Sequence, residues 1–276
     1  MSFIYSLITN LIKHFKNRLS NLNEITDIND SRIKEFISLK QSSVDEGYVV
    51  VESKNVFKKL FNTHTKIHKV FTTIENIDFI KEFCPNIDFP IYTANNEIMK
   101  KIVGHKIHQG MMAVIDKPKF ISFDEIKGNV VVLNGLTSPE NVGSIVRSCA
   151  AFDIDTLIID EKTCSPFIRR CIRVSTGNLF NIKVYKSQNL EKDLKNLQSN
   201  SYTILSTANC SEAVSLHKYS FPKNSAVVIG SEGYGAQKEI LDLSDTILKI
   251  DIDEEVTSLN ASIAASIVLY QMKNSI

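Results

Sequence analysis

Three short stretches in the C-terminal half of the sequence hold the residue types that could do chemistry. The first is VVLNGLTSPENVGSIVRSCAAF, in which Asn141 stands at a natural helix N-cap, where its side chain can satisfy free helix N–H groups. Arg147 follows about one and two-thirds turns later. It lies off the apolar stripe of Val142, Ile145, Val146, Cys149 and Phe152 and carries a permanent charge. The second stretch, AVVIGSEGYGAQKEIL, runs from a strand into Gly230-Ser231-Glu232-Gly233-Tyr234-Gly235. Glycines spaced in this way allow tight turns and close approach of backbone to a ligand. They read GxxGxG, which supports neither a Rossmann dinucleotide fingerprint nor a Walker loop. The third stretch, ILKIDIDEEVTSLNASIAASIVLYQM, passes from a strand-like run through an acidic loop (Asp251, Asp253, Glu254, Glu255) to a helix starting near Ser258-Leu259-Asn260. Its Ala261, Ala264 and Ala265 let another backbone pack close. Taken singly, Asn141 and Ser258 read equally as caps, Arg147 as a solvated charge, and the glycines as a strand-to-helix turn.

The elements that must position these residues follow from the hydrophobic pattern. Short apolar runs at 130–133, 156–159, 182–184, 203–205 and 226–229 suit buried parallel strands, and a helix over 260–272 closes the chain. Upstream, strands at 48–51, 70–73, 89–93 and 111–115 alternate with helices at 56–61, 78–83 and 96–103, which predicts a small α/β sandwich. The divisions are an N-terminal helical extension over 1–30, a first domain over 31–116, a polar linker over 117–127 around Pro118, and a second domain over 128–276.

In this order and spacing, the three stretches resemble the signature motifs of the SpoU (TrmH-like) family of RNA 2′-O-ribose methyltransferases, part of the SPOUT superfamily. Asn141 through Arg147 resembles the first motif, Gly230-Ser231-Glu232-Gly233 the second, and Ser258-Leu259-Asn260 with its alanine-rich helix the third. The resemblance covers nearly all of 128–273. It extends more weakly to the first domain, through Val49-Val50-Val51-Glu52 and His108-Gln109-Gly110.

The resemblance implies a parallel-sheet domain with a deep trefoil knot, an exception to the rule that chains do not thread loops. It also implies a substrate-binding domain of ribosomal-protein-like fold before it. S-adenosylmethionine would lie in the knot against Thr207, Ala208, Gly230, Glu232, Gly233, Ile250 and Leu259. Methyl transfer to a ribose 2′-hydroxyl would use Asn141, Arg147, Glu232, Ser258 and Asn260. Arginine is hard to deprotonate, which makes Arg147 a positioning group and leaves its part as base open. A homodimer, with the 260–272 helix at the interface, is implied as well. So is an RNA substrate, ribosomal RNA (large subunit) ahead of transfer RNA, while a non-catalytic RNA-binding or assembly factor on the same scaffold is the alternative. The family commonly carries glycine at Asp153 and proline at Asp251.

Composition sets outer limits. A length of 276 residues suits two domains, and 43% hydrophobic residues suffice for their cores. The net charge of +1 means that RNA phosphates would meet local basic groups. Arg169, Arg170 and Arg173 share one polar helix side, and Lys100, Lys101, His105, Lys106 and His108 cluster at the end of the first domain. The five cysteines lack metal-ligand spacing, so reduced thiols and no metal are expected. No apolar run is long enough for a membrane span. A cytoplasmic location follows, with an organelle as the alternative because the first 23 residues are helical in pattern, basic and free of acidic residues.

Overall fold

Val130, Val131, Val132 and Leu133 are wholly buried, as suits a central strand covered on both faces. The structure is a computed structural model. It describes residues 22–37, 47–103, 110–231 and 235–275, and the chain divides between Lys117 and Pro118 into two units.

In the first unit β1 (Leu22–Glu24), β2 (Tyr48–Glu52), β3 (Ile67–Thr72), β4 (Ile91–Thr93) and β5 (Met111–Asp116) form a sheet in the order β1-β4-β3-β5-β2. β4 runs parallel to β1 and β3, and β5 antiparallel to β2 and β3. The helices are α1 (Lys34–Ile37), α2 (Lys54–Leu60), α3 (Ile77–Phe83) and α4 (Asn96–Val103). Alternate strand residues fall on opposite faces. Val50, Phe71, Met112 and Val114 share one core with Phe36 of α1 and with Met99 and Ile102 of α4. Val51, Val70 and Ala113, of opposite parity, are buried too, so both faces are covered.

Two expected boundaries are corrected. Residues 22–30 are not part of a helical extension: β1 adds a parallel strand beside β4, and the Ile25 N–H donates to Thr93 O at 2.8 Å. Burial decides this, since Ile25 is 1% exposed in the core with Ile33 and Phe36. Residues 1–21, where the rest of that extension was expected, lie outside the described residues. Nor does the expected linker behave as one after Pro118. The Ile121 N–H donates to Val184 O, Phe120 packs on Phe167, and Ile126 enters the core of the second unit.

In the second unit β6 (Val130–Asn134), β7 (Thr156–Ile159), β8 (Lys183–Lys186), β9 (Thr203–Thr207), β10 (Val214–Ser215), β11 (Ser225–Gly230) and β12 (Thr246–Lys249) form an all-parallel sheet, ordered β10-β12-β9-β11-β6-β7-β8. β8 begins one residue later than expected because the Ile182 N–H still closes the preceding turn on Leu179 O. The helices are α5 (Pro139–Ala151), α6 (Arg169–Val174), α7 (Leu190–Ser199), α8 (Lys238–Leu243) and α9 (Ala261–Asn274). Leu190, Leu194 and Leu197 of α7 and Ile240 of α8 cover Val130, Val132, Ile204 and Val228. Each such side chain contributes about 1.5–3 kcal/mol by leaving water.

α5 packs against both α6 and α9. The α5–α6 approach depends on Gly143, where a Cβ would stand 2.8 Å from Val174 Cβ and 2.9 Å from Cys171 O. Just past the end of α5, Asp153 adopts the left-handed conformation (φ 59°) usually left to glycine, and its carboxylate pairs with Lys273 of α9.

Candidate active site

The strands β12, β9 and β11 are neighbours and parallel, so their carboxyl ends open on one edge of the sheet, where ligand sites form in such folds. A cavity of about 390 Å³ lies there. Thr207 and Ala208 at the end of β9, Gly230 at the end of β11, Ile250 after β12, and Ser258 and Leu259 before α9 all line it. The expected cofactor-binding residues within the described chain thus converge, and Ser258 joins them. Glu232 and Gly233 lie outside the described residues. Ala261 and Ala264 of the alanine-rich helix also line the cavity, as do Asn209, Leu248, Ile252 and Thr257, which carried no signal in the sequence beyond their nearness to the motifs.

The donor set suits an adenosyl-sulfonium ligand. Ile229, Leu248, Ile250, Ile252 and Leu259 supply apolar surface for a purine ring. The hydroxyls of Thr257 and Ser258, both on exposed residues, and the strand-end backbone supply polar contacts, and Lys249 also lines the cavity.

Gly230 is where the chain turns back on itself. A Cβ there would lie 2.0 Å from Ala236 N and 2.1 Å from Gly235 C. The loop closes on paired bonds, Gly235 N–H to Ser231 O at 2.8 Å and Ser231 N–H to Gly235 O at 3.1 Å. A buried network fixes its far end. Asn134, at the end of β6, accepts from the Gln237 N–H at 2.8 Å and donates to Asp160 Oδ2 at 2.9 Å. Asp160 also accepts from the Gly135 N–H and from both the N–H and hydroxyl of Thr163. Asp160 and Gln237 carry no motif signature, and sequence reasoning missed them.

Both expected caps are corrected. α5 is capped by Ser138, whose Oγ accepts from the Asn141 N–H at 3.4 Å, with Pro139 in the first helical position. α9 is capped by Asn260, not Ser258: Asn260 Oδ1 accepts from the Ser262 N–H at 2.9 Å and the Ile263 N–H at 3.4 Å. Asn141 is therefore not a cap. Its Oδ1 accepts from Asn260 Nδ2 at 3.0 Å, joining the first motif to the third across 119 residues. Farther along, Ser148 Oγ and Ser266 Oγ lie 2.7 Å apart, and the Phe152 and Tyr270 rings meet edge to face.

Arg147 is exposed on α5 and is not among the residues lining the cavity. Six residues after Asn141, it points about 120° away from that side chain around the helix. Arg170 is exposed and paired with Glu140 in the first turn of α5, while Arg169 and Arg173 are half-buried on α6. In the first unit Lys101 is exposed and pairs with Glu97 at 2.9 Å; His105, Lys106 and His108 lie outside the described residues.

All five cysteines are free thiols. Burial pushes the Cys149 thiol up to about 12, and the hydrogen bond that the Cys171 thiol makes to Cys164, with burial, raises Cys171. Among the described residues no His, Cys, Asp and Glu group could hold a metal ion, and no helix is long and apolar enough to cross a membrane.

Residues 128–270 match the SpoU rRNA Methylase family. A Staphylococcus epidermidis protein named as a TrmH family tRNA/rRNA methyltransferase is 31% identical over 174 residues, which cover 60% of this chain and 70% of that one. Two solved structures share the fold. An AdoMet-bound rRNA methyltransferase from Sinorhizobium meliloti aligns with TM-score 0.79 at 18% identity, covering 91% of this chain and 97% of that one. The SpoU methyltransferase AviRb from Streptomyces viridochromogenes aligns with TM-score 0.77 at 19% identity, covering 89% and 97%.

Proposed function

The chain belongs to the SpoU rRNA methylase family and is an RNA methyltransferase that uses S-adenosylmethionine; on that premise we propose that it methylates a ribose 2′-hydroxyl of ribosomal RNA. The observation that carries this reading is the hydrogen bond between Asn141 and Asn260 beside a cavity lined by Ser258 and Leu259. It makes one site of two motifs that are far apart in sequence.

The cofactor supplies a methyl group already activated on a sulfonium, so the protein's work is alignment and control of one proton. Thr207, Ala208, Gly230, Ile250 and Leu259 would hold the donor at the strand ends, and the second motif assigns Glu232 and Gly233 to the same cofactor loop. Asn141, Ser258 and Asn260 orient the ribose. Arg147 positions the hydroxyl and stabilises the negative charge that develops on its oxygen.

Arg147 serves the cavity of a second copy of the chain, since it is exposed and turned from Asn141. An exposed apolar stripe on α9, Ile263, Ile267 and Tyr270, is the surface on which that copy packs. The trefoil threading and a cytoplasmic location belong to the same reading. The first unit and the Arg169, Arg170, Arg173 group hold the RNA, and the separate first unit favours ribosomal over transfer RNA.

The test is methyl transfer from radiolabelled S-adenosylmethionine to ribosomal and transfer RNA, followed by alkaline hydrolysis. A methylated 2′-oxygen cannot attack its neighbouring phosphate, so the label should emerge in an alkali-resistant dinucleotide. Label in free mononucleotides would mean base methylation and end the ribose reading. Label in transfer RNA alone would end the ribosomal one.

A further inference from the structure

One wall of the cavity is irregular chain. Between Lys249, which ends β12, and Asn260, which caps α9, residues 250–259 form neither helix nor strand, yet Ile250, Ile252, Thr257, Ser258 and Leu259 line the cavity. The loop's own bonds are short-range: the Glu255 N–H donates to Asp253 Oδ1 at 2.9 Å and the Val256 N–H to Asp253 O at 3.0 Å. Among the described residues, the hydrogen bonds that reach from 250–259 to another element are those of Asp251. Its Oδ2 accepts from the hydroxyl of Ser215 and lies 2.9 Å from His217 Nδ1. Ser215 ends β10, which pairs with β12 in register at Ser215 and Lys249, so Ser215 stands on the sheet itself and His217 in the turn that follows it.

The three groups also meet one another, with Ser215 Oγ 2.6 Å from His217 Nδ1. Counting hydrogens settles their roles. The carboxylate has none to give, and the single hydroxyl hydrogen of Ser215 goes to it. The Ser215–His217 contact therefore needs a proton on Nδ1, which faces two acceptors at once. Nucleophilic catalysis requires the opposite: an unprotonated ring nitrogen toward the serine and the carboxylate on the other nitrogen. Here one protonated nitrogen faces both, so this serine, histidine and aspartate fasten a loop and do not activate a hydroxyl. The same hydrogen bonds, that of Ser215 first, hold the Asp251 carboxyl below the usual carboxylate range.

We propose that Asp251 is a positioning residue for the methyl-donor site: held by Ser215 and His217, it fixes the start of the 250–259 loop so that the cofactor meets a preformed wall. This rests on the reading that the cavity takes S-adenosylmethionine. The side chains of His217 and Asp251 are more than half exposed, so the latch adds little to global stability; it acts on where the loop stands.

The experiment uses the full chain and S-adenosylmethionine, with affinity from calorimetry and turnover on RNA. Asp251→Ala should raise Kd and KM for the cofactor roughly threefold to tenfold, the size of one or two exposed polar contacts. Turnover at saturating cofactor should hold, and the melting temperature should barely move. Asp251→Asn keeps an acceptor oxygen for both donors and should recover most of the affinity. Ser215→Ala should weaken binding alone but add nothing to Asp251→Ala, because both remove one interaction. Wild-type affinity in Asp251→Ala, or full additivity of the pair, overturns the latch. Ala264→Phe, which fills the cavity, separates the two readings. If it retains binding, the cavity is not the site; if it abolishes binding while Asp251→Ala does not weaken it, only the latch fails.

Discussion

Replacing Gly230 by alanine adds one methyl group where no room exists. The new Cβ would stand 2.0 Å from Ala236 N and 2.1 Å from Gly235 C, against a contact optimum of roughly 3.5 Å. Both neighbours are backbone, so no rotamer change relieves the overlap, and the chain at Gly235 and Ala236 must shift by on the order of 1 Å. Overpacking of this kind costs about 1–3 kcal/mol, which would lower the melting temperature by roughly 3–10 °C for a domain of this size. Ser231 and Gly235 line the cavity, so the shift should also weaken S-adenosylmethionine binding, by tenfold or more if about 1.4 kcal/mol of it falls on the bound state. Gly235→Ala in the same turn is the control. Nothing lies within 4 Å of its added Cβ, but φ is +66°, so it suffers only the left-handed backbone cost of about 1 kcal/mol. Calorimetric titration with cofactor and scanning calorimetry read both effects. If Gly230→Ala keeps the wild-type Kd and melts within a degree of it, the close chain crossing is not needed for the site and the reasoning fails.

Asp160→Asn leaves a buried amide with one acceptor oxygen where four hydrogen bonds converge, and should cost about 1–3 kcal/mol in urea unfolding; an unchanged midpoint would show the network to be dispensable. Arg147→Ala should lower the methyl-transfer rate by about 100-fold to 1000-fold while leaving cofactor affinity intact, and full activity would remove Arg147 from the site. Ile267→Asp places a charge in the exposed stripe of α9 and should convert a dimer to monomer in sedimentation at micromolar concentration; an unchanged mass counts against that surface. For Asp251 the folded carboxyl is lowered from 3.8, so the latch is whole above that value and is lost as pH falls through the lowered one. The affinity gap between wild type and Asp251→Ala should therefore persist down to about pH 5 and close in stronger acid.

The α/β alternation and the central parallel strands were readable because an unbroken run such as 130–133 has nowhere to go but a sheet covered on both faces. The motifs were readable for a different reason: three spaced groups of polar residues and glycines constrain one another jointly. Cap positions were not, because Ser138, Asn141, Ser258 and Asn260 are all good capping types. Which one caps depends on where the preceding strand delivers the chain. That outcome decides chemistry, since Ser138 takes the cap on α5 and leaves the Asn141 side chain to meet Asn260.

By itself, the sequence determined which residues are chemically able and the order in which the chain presents them. Only the tertiary structure decided which of them share a cavity. Neighbouring parallel strands bring the ends of β9, β11 and β12 together although they lie up to about forty residues apart in the chain. The strand order also places β10 beside β12, which gives Asp251 its partners, Ser215 and His217. A contact of that kind leaves no periodic trace in the sequence. It is created by the register between strands, and register is fixed by the packing of the whole sheet.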